Sequence, residues 1–399
     1  SPPENVGGRL FMQGDFKAWN GSFDAFPIRK HFDARYDIAI IGDGCDFKKK
    51  FAEDPMFTKV YLILDAKGTG LLAPAKERLN IGRIIKGLGD SGKDMLEGVV
   101  DVYRQETLKM KLSTFKKLWD KRSHKRLYNI ISLRFTEFGL AKEVSPPDVY
   151  RSLSIASKLW KNRQESNPEE MQSTMVKSMD GDDAGVMNEE TSEVELDPAH
   201  ADDRPDVEAF ALMGMGGSFT DFHVDFGGTA VWYHVVVGTK VFFVIPPTEE
   251  NLRVYEEHER RKLTEEDYRI FLGDILRDEC RRVVIPAGAT LIVPSGWIHA
   301  VHTPEDSIVF GGNFVYLQGL ETHLKINAIE ERLEVNENER YPNFRLVMTY
   351  AGIMMAYLLR KNVDVTSAHL DGAKALYENL REWLRQDEEE LGVAAANAK

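Results

Sequence analysis

Between Glu208 and Phe314 the chain alternates short β-rich runs with turn residues, and this rhythm constrains the fold more than any other feature. The runs are Glu208–Met213, Phe219–Phe226, Thr229–Val236, Lys240–Ile245, Arg281–Ile285, Thr290–Val293, Ile298–His302 and Ser307–Phe314. Gly227-Gly228, Gly238-Thr239, Pro246-Pro247, Pro286-Ala287-Gly288 and Ser295-Gly296 separate them, residues that break strands and supply turns. Eight short strands at this spacing predict a jelly roll, a double sheet, in a chain that is mainly β with flanking helices. One helical interruption, Thr248 to about Leu276, falls between the fourth and fifth runs.

The rest of the chain divides around that core, expected over 207–318. Residues 1–95 mix short apolar runs (Ile38–Ile41, Val60–Leu64) with Gly and Asp turns and read as an α/β lead-in. Residues 96–162 form a mixed segment leading into the core. Within it, Leu108, Leu112, Phe115 and Trp119 suggest a helix over 104–126, Tyr128–Phe135 a strand, and Val149–Trp160 a helix after Pro146-Pro147. Residues 319–399 read as a C-terminal helical region, with helices from Leu320 to Glu334 and from Asn343 to about Arg385.

The segment 163–206 stands apart in charge. The chain carries a net −13, yet residues 165–206 hold 14 Asp/Glu against only Lys177 and Arg204, a local −12 that leaves −1 for the remainder. With little apolar periodicity to offset ordering entropy, this stretch is expected to be a disordered insertion. Two cysteines, Cys45 and Cys280, are too few for a disulfide framework and point to a reducing compartment. The most apolar run, Leu346 to Leu359, is too short to span a bilayer and contains Thr349, Tyr350 and Tyr357, so it reads as a buried helix. The first residue is Ser1, so the chain is expected to be a piece of a longer protein.

Chemistry concentrates in Thr220-Asp-Phe-His-Val-Asp-Phe-Gly-Gly228 and Gly296-Trp-Ile-His299. His223 and Asp225 stand at i and i+2, a spacing that points both side chains to one face of a strand. His299, on a strand that a jelly roll brings back beside the first, completes two imidazoles and a carboxylate. That set leaves open positions on a metal, as in non-haem Fe(II) oxygenases. A lone His-x-Asp is weak evidence, since most such pairs are satisfied turns or core hydrogen bonds. His302 is a rival ligand, but strand alternation sends it to the face opposite His299. His234, among Val and Trp, reads more simply as a core histidine.

The run Phe219 to His234, then Gly238-Thr-Lys240, Ile245-Pro-Pro-Thr248, Ile270-Phe-Leu-Gly-Asp274, Pro294-Ser-Gly-Trp-Ile-His-Ala-Val301 and Phe310-Gly-Gly-Asn-Phe314 resembles the JmjC-domain histone lysine demethylases. Leu127-Tyr-Asn-Ile-Ile-Ser-Leu133 fits as well. The likeness covers about residues 95 to 350 and is greatest to the branch that acts on lysine 36 of histone H3. It implies a double-stranded β-helix, a cupin-like jelly roll. It implies Fe(II) held by His223, Asp225 and His299, and 2-oxoglutarate as co-substrate with O₂. Thr220 and Lys240 match positions that hold the distal carboxylate of 2-oxoglutarate. Tyr233 and Asn129 match further co-substrate contacts, and Asn313 a position near the methylated ammonium. Thr220 lies three residues from His223, so a twist or bulge must bring the two onto one face. The implied reaction hydroxylates an N-methyl group of mono- or dimethyl-lysine and releases formaldehyde and succinate.

The resemblance also implies a nuclear protein whose partners are a methylated histone H3 tail and the nucleosome, with no membrane. Lys116, Lys117, Lys121, Arg122, Lys125 and Arg126 form a basic cluster that suits DNA phosphates, or is a solvated helix face. The alternatives on the same fold are a 2-oxoglutarate-dependent protein hydroxylase and a demethylase acting on another histone H3 lysine, and a chromatin-binding pseudoenzyme is disfavoured by the intact ligand set.

Overall fold

The computed structural model describes residues 35–104, 106–121, 126–160, 203–266, 268, 270–361 and 365–397. Its strands are β1 (Ile38–Ile41), β2 (Val60–Ile63), β3 (Leu96–Asp101), β4 (Glu106–Lys111), β5 (Tyr128–Arg134), β6 (Phe210–Gly214), β7 (Phe219–His223), β8 (Ala230–Val237), β9 (Lys240–Ile245), β10 (Arg281–Ile285), β11 (Thr290–Val293), β12 (Ile298–His302) and β13 (Ser307–Phe314). They form two open sheets, ordered β1-β2-β11-β8-β13-β6-β5-β3-β4 and β10-β9-β12-β7. Strands β9 to β13 occupy the residues expected for them. The signal was strong because β-branched and aromatic runs end abruptly at Pro and Gly.

The sheets pack face to face. Val231, Tyr233 and Val235 of β8 and Leu291 and Val293 of β11 meet Phe242 and Val244 of β9, Val283 and Ile285 of β10 and Val301 of β12. Each such side chain contributes about 1.5–3 kcal/mol by leaving water. The outer face of the larger sheet carries Tyr61, Met213, Trp232 and Phe310, covered by Phe47, Ile84 and Phe115. The smaller sheet is covered by the helix Glu249–Thr264 and the short helix Leu272–Ile275, through Leu252, Leu272 and Phe271 against Phe219, Phe243 and Ile298.

Three expectations change. The protein is mixed rather than mainly β. Strands run four to eight residues, whereas Leu320–Arg332, Phe344–Lys361 and Ser367–Asn397 hold 13, 18 and 31. The expected helix over 104–126 is strand β4 followed by a shorter helix, Leu112–Trp119. In β4 only Leu108 and Met110 of the apolar side chains are half-buried, with exposed neighbours between them, which is the two-residue period of a strand. The run to Trp160 breaks at Ser154, whose hydroxyl caps the second piece, Ile155–Leu159, by accepting the Ser157 N–H. The apolar runs of the lead-in are strands β1 and β2 of the core sheet, and β2 pairs antiparallel with β11.

The helix containing Leu346 to Leu359 is buried through Val347, Met348, Ala351, Met354 and Met355. Among the described residues no helix is long and apolar enough to cross a membrane. The acidic stretch lies outside the described residues up to 202. Of its last residues, Arg204 pairs with Glu208, and Asp206 accepts the Thr136 hydroxyl at 2.8 Å.

Candidate active site

Strands β7 and β12 run antiparallel, with His299 opposite His223 and Val301 opposite Thr220. Three steps on β7 therefore match two on β12, so β7 carries an extra residue, a bulge. A bulge reverses the alternation of side chains beyond it. Thr220, His223, His299 and Val301 consequently line one cavity between the sheets. The spacing of Thr220 and His223 required this irregularity.

Asp225 follows the end of β7 in extended backbone, just before a tight turn over Phe226–Gly228. Its carboxylate oxygens lie 3.8 Å from His223 Nε2 and 3.8 Å from His299 Nε2. The two imidazole centroids are 4.3 Å apart. One ligand atom from each residue falls within 4.8 Å of the others, and among the described residues this is the one such group of His, Cys, Asp and Glu. The rings are held from behind. His223 Nδ1 donates to the Asp221 carbonyl at 2.8 Å and His299 Nδ1 to the Trp297 carbonyl at 3.1 Å. A proton on Nδ1 leaves each Nε2 lone pair facing Asp225, the arrangement a metal-ligating histidine needs. Burial, then the neighbouring His223, pushes the His299 imidazole down to about 4, so it is neutral. Phe242 stacks on it with centroids 5.5 Å apart and planes 9° from parallel.

The same cavity reaches Lys240, Asn129, Tyr233 and Asn313. Lys240 starts β9, yet its side chain turns inward, only 5% of the residue is exposed, and its Nζ donates to Thr303 Oγ1 at 2.7 Å. Among the described residues no carboxylate pairs with it, and burial pushes its ammonium down to about 7. Asn129 Oδ1 is buried without a hydrogen-bond partner. Gly214 explains how these groups meet. A Cβ there would lie 2.8 Å from Lys240 Nζ and 3.2 Å from both Asn129 Oδ1 and Thr303 Oγ1. A buried cation and an unpartnered amide oxygen in the cavity that also holds a two-His, one-carboxylate cluster fit a small dianion that also reaches a metal.

Tyr233 packs edge-on against Phe242, with its phenol pushed well above the usual range by burial. Asn313 Nδ2 donates to Thr229 Oγ1 at 2.9 Å. His302 points away from the cavity, with Nδ1 3.2 Å from the Ser218 carbonyl. His234 is a core residue, 2.9 Å from the Thr290 hydroxyl. Thr303 escaped the sequence reading, because nothing in a threonine near a strand end signals a buried lysine partner. In the basic cluster, Lys116 pairs with Asp120 and Arg126 with Asp101, while Arg122 and Lys125 lie outside the described residues.

Residues 210–314 match the family described as JmjC domain, hydroxylase, and residues 319–396 match the Jumonji helical domain. The chain is 32% identical over 360 residues to Histone lysine demethylase PHF8 of Danio rerio, covering 89% of this chain and 31% of that protein. It is 30% identical over 326 residues to Lysine-specific demethylase 2A of Xenopus tropicalis, covering 81% and 26%. It is 34% identical over 285 residues to JmjC domain-containing histone demethylation protein 1 of Caenorhabditis elegans, covering 71% and 24%. The chain thus spans about a third or less of the length of these relatives. The JmjC family uses Fe(II) and 2-oxoglutarate, and the His223, Asp225 and His299 cluster is the candidate metal triad for it. The chain belongs to the JmjC-domain family, with a Jumonji helical domain directly after the catalytic-type domain, and is homologous to histone lysine demethylases.

Proposed function

We propose that this chain is a histone lysine demethylase that removes methyl groups from mono- or dimethyl-lysine by Fe(II)- and 2-oxoglutarate-dependent hydroxylation. The single observation that carries the reading is the convergence, on one cavity, of the His223, Asp225 and His299 ligand atoms with the buried Lys240, which has no carboxylate partner among the described residues. Fe(II) held by the triad supplies the oxidising chemistry when bound. The chain's own residues bind, orient and exclude water. Lys240, Thr220, Asn129 and Tyr233 hold the co-substrate, with Lys240 on its distal carboxylate. Asn313, fixed by Thr229, lies toward the methylated ammonium. The substrate is a methylated histone H3 tail presented on a nucleosome in the nucleus.

Lysine 36 of histone H3 is the proposed target, on the likeness of the motifs to that branch. The relatives' identities of 29–32% across demethylases 7A, 7B, 2A and PHF8 leave the target to be tested directly. In the basic cluster the described Lys116 and Arg126 face Asp120 and Asp101, and phosphate contacts are not part of the reading.

Mass spectrometry of methylated H3 peptides incubated with protein, Fe(II), ascorbate and 2-oxoglutarate tests the proposal. Stepwise loss of methyl groups with formaldehyde release supports it. A stable gain of one oxygen identifies a protein hydroxylase instead. Turnover only at another lysine corrects the target and leaves the chemistry standing.

A further inference from the structure

The helix Leu320–Arg332 belongs to the helical domain, yet two of its side chains hold the turn that follows Asp225. Glu330 Oε1 accepts the Gly227 N–H at 2.7 Å, and His323 Nδ1 donates to the Gly227 carbonyl at 3.1 Å. Both polar backbone groups of the residue two places after Asp225 are thus gripped by one helix. Gly227 lies at φ 58° and ψ 19°, and Gly228 at φ 60°, left-handed backbone that other residues adopt at a cost. His323 is fully buried, and its Nε2 accepts the Tyr316 N–H at 3.3 Å, so the proton belongs on Nδ1. Burial pushes this imidazole down to about 4 and keeps that neutral form.

The same helix face reaches the approach to the other ligand. Ile326 and Thr322 share a side with His323 and Glu330 by helical spacing. A Cβ on Gly228 would come 2.8 Å from Ile326 Cγ1, and a Cβ on Gly296 would come 2.4 Å from Thr322 Cγ2. Gly296, three residues before His299, donates its N–H to the Gly228 carbonyl at 3.1 Å. Two glycine turns, one beside each end of the triad, are seated on one helix.

We propose that Glu330 and His323 are positioning residues for the metal. By clamping Gly227 they fix the aim of the Asp225 carboxylate, so the helical domain sets how tightly the JmjC domain holds its metal. The inference rests on the iron reading of the triad and deepens it.

The test is metal binding, independent of turnover. Co(II) absorption and Mn(II) resonance titrations are run on metal-free full chain, with circular dichroism at the same temperature. Glu330→Met removes the acceptor at similar volume, and Glu330→Gln keeps a carbonyl oxygen. Supporting groups of this kind change metal affinity by about 10- to 100-fold. Glu330→Met is expected to weaken both metals by at least about tenfold while folded, with Glu330→Gln close to the parent. Parent affinity in folded Glu330→Met, or equal weakening in both variants, overturns the proposal. Asp225→Ala separates the two readings, because if it binds metal as the parent does, the triad assignment fails rather than the clamp. Should Glu330→Met not fold, amide exchange in the parent protein decides. A protected Gly227 amide supports the clamp, and one exchanging like an open turn refutes it.

Discussion

Lys240 Nζ and Thr303 Oγ1 lie 2.7 Å apart, and among the described residues this neutral hydroxyl is the one side chain hydrogen-bonded to the buried lysine. A neutral partner leaves the lysine's charge uncompensated, which is what a binding site for an anionic ligand needs. Removing the charge strands a buried carboxylate at a cost of about 3–5 kcal/mol. Lys240→Ala is therefore expected to raise the 2-oxoglutarate concentration for half-maximal turnover by two orders of magnitude or more, with metal content unchanged. Unaltered co-substrate affinity by calorimetry returns Lys240 to a packing role.

The same lysine makes binding pH-dependent. Burial brings its ammonium down to about 7, and a bound carboxylate restores the charged form. Below pH 7 the free protein already carries the proton. Above it, each binding event must draw a proton from solvent, so affinity is expected to fall about tenfold per pH unit. Calorimetry at pH 8 in buffers of differing ionisation enthalpy should show proton uptake approaching one per ligand. No uptake contradicts the account.

His299→Ala is expected to abolish turnover and metal retention, whereas His302→Ala should keep most activity. The two are neighbours on β12 but face opposite ways, His299 toward Asp225 and His302 toward the Ser218 carbonyl. His302→Ala still loses stability, since it empties a buried site. The reversed pattern of activity would exchange their roles.

The five core runs from Lys240 to Phe314, and the gathering of His223, Asp225 and His299 into one candidate metal cluster, were legible because each is encoded locally, whereas the run from Phe219 ends as a strand at His223 and leaves Asp225 beyond it. Strand alternation places His223 and His299, and the three-residue step from Thr220 announces its own bulge. What escaped is tertiary. Leu108 fits a helical spacing with Leu112 and Phe115, yet it belongs to a strand that pairs with Leu96–Asp101. Thr303 acquires meaning only because Gly214 leaves room for Lys240 beside it. Glu330 lies 103 residues from the Gly227 amide it accepts, and no local pattern links them.

Replacing residues 165–200 by a Gly/Ser linker is expected to preserve peptide turnover. The segments on either side are anchored separately, Trp160 edge-on against Tyr350 and Asp206 on Thr136. Loop closure changes slowly with length, so fold stability should alter little. Removing this concentration of negative charge should alter nucleosome affinity, measured by gel shift at fixed salt. Loss of peptide turnover with the fold and metal intact would show that the segment helps build the cavity.

The insertion of β2 beside β11, and of β5 beside β6, has a practical consequence for cutting the protein into pieces. The 210–314 segment is contiguous in sequence but not in space. Excised at those ends, it would expose two sheet edges that residues 60–63 and 128–134 otherwise cover, and such edges recruit other chains. The smallest autonomous fragment must therefore begin ahead of Ile38, and shorter expression products should aggregate even when every ligand residue is retained.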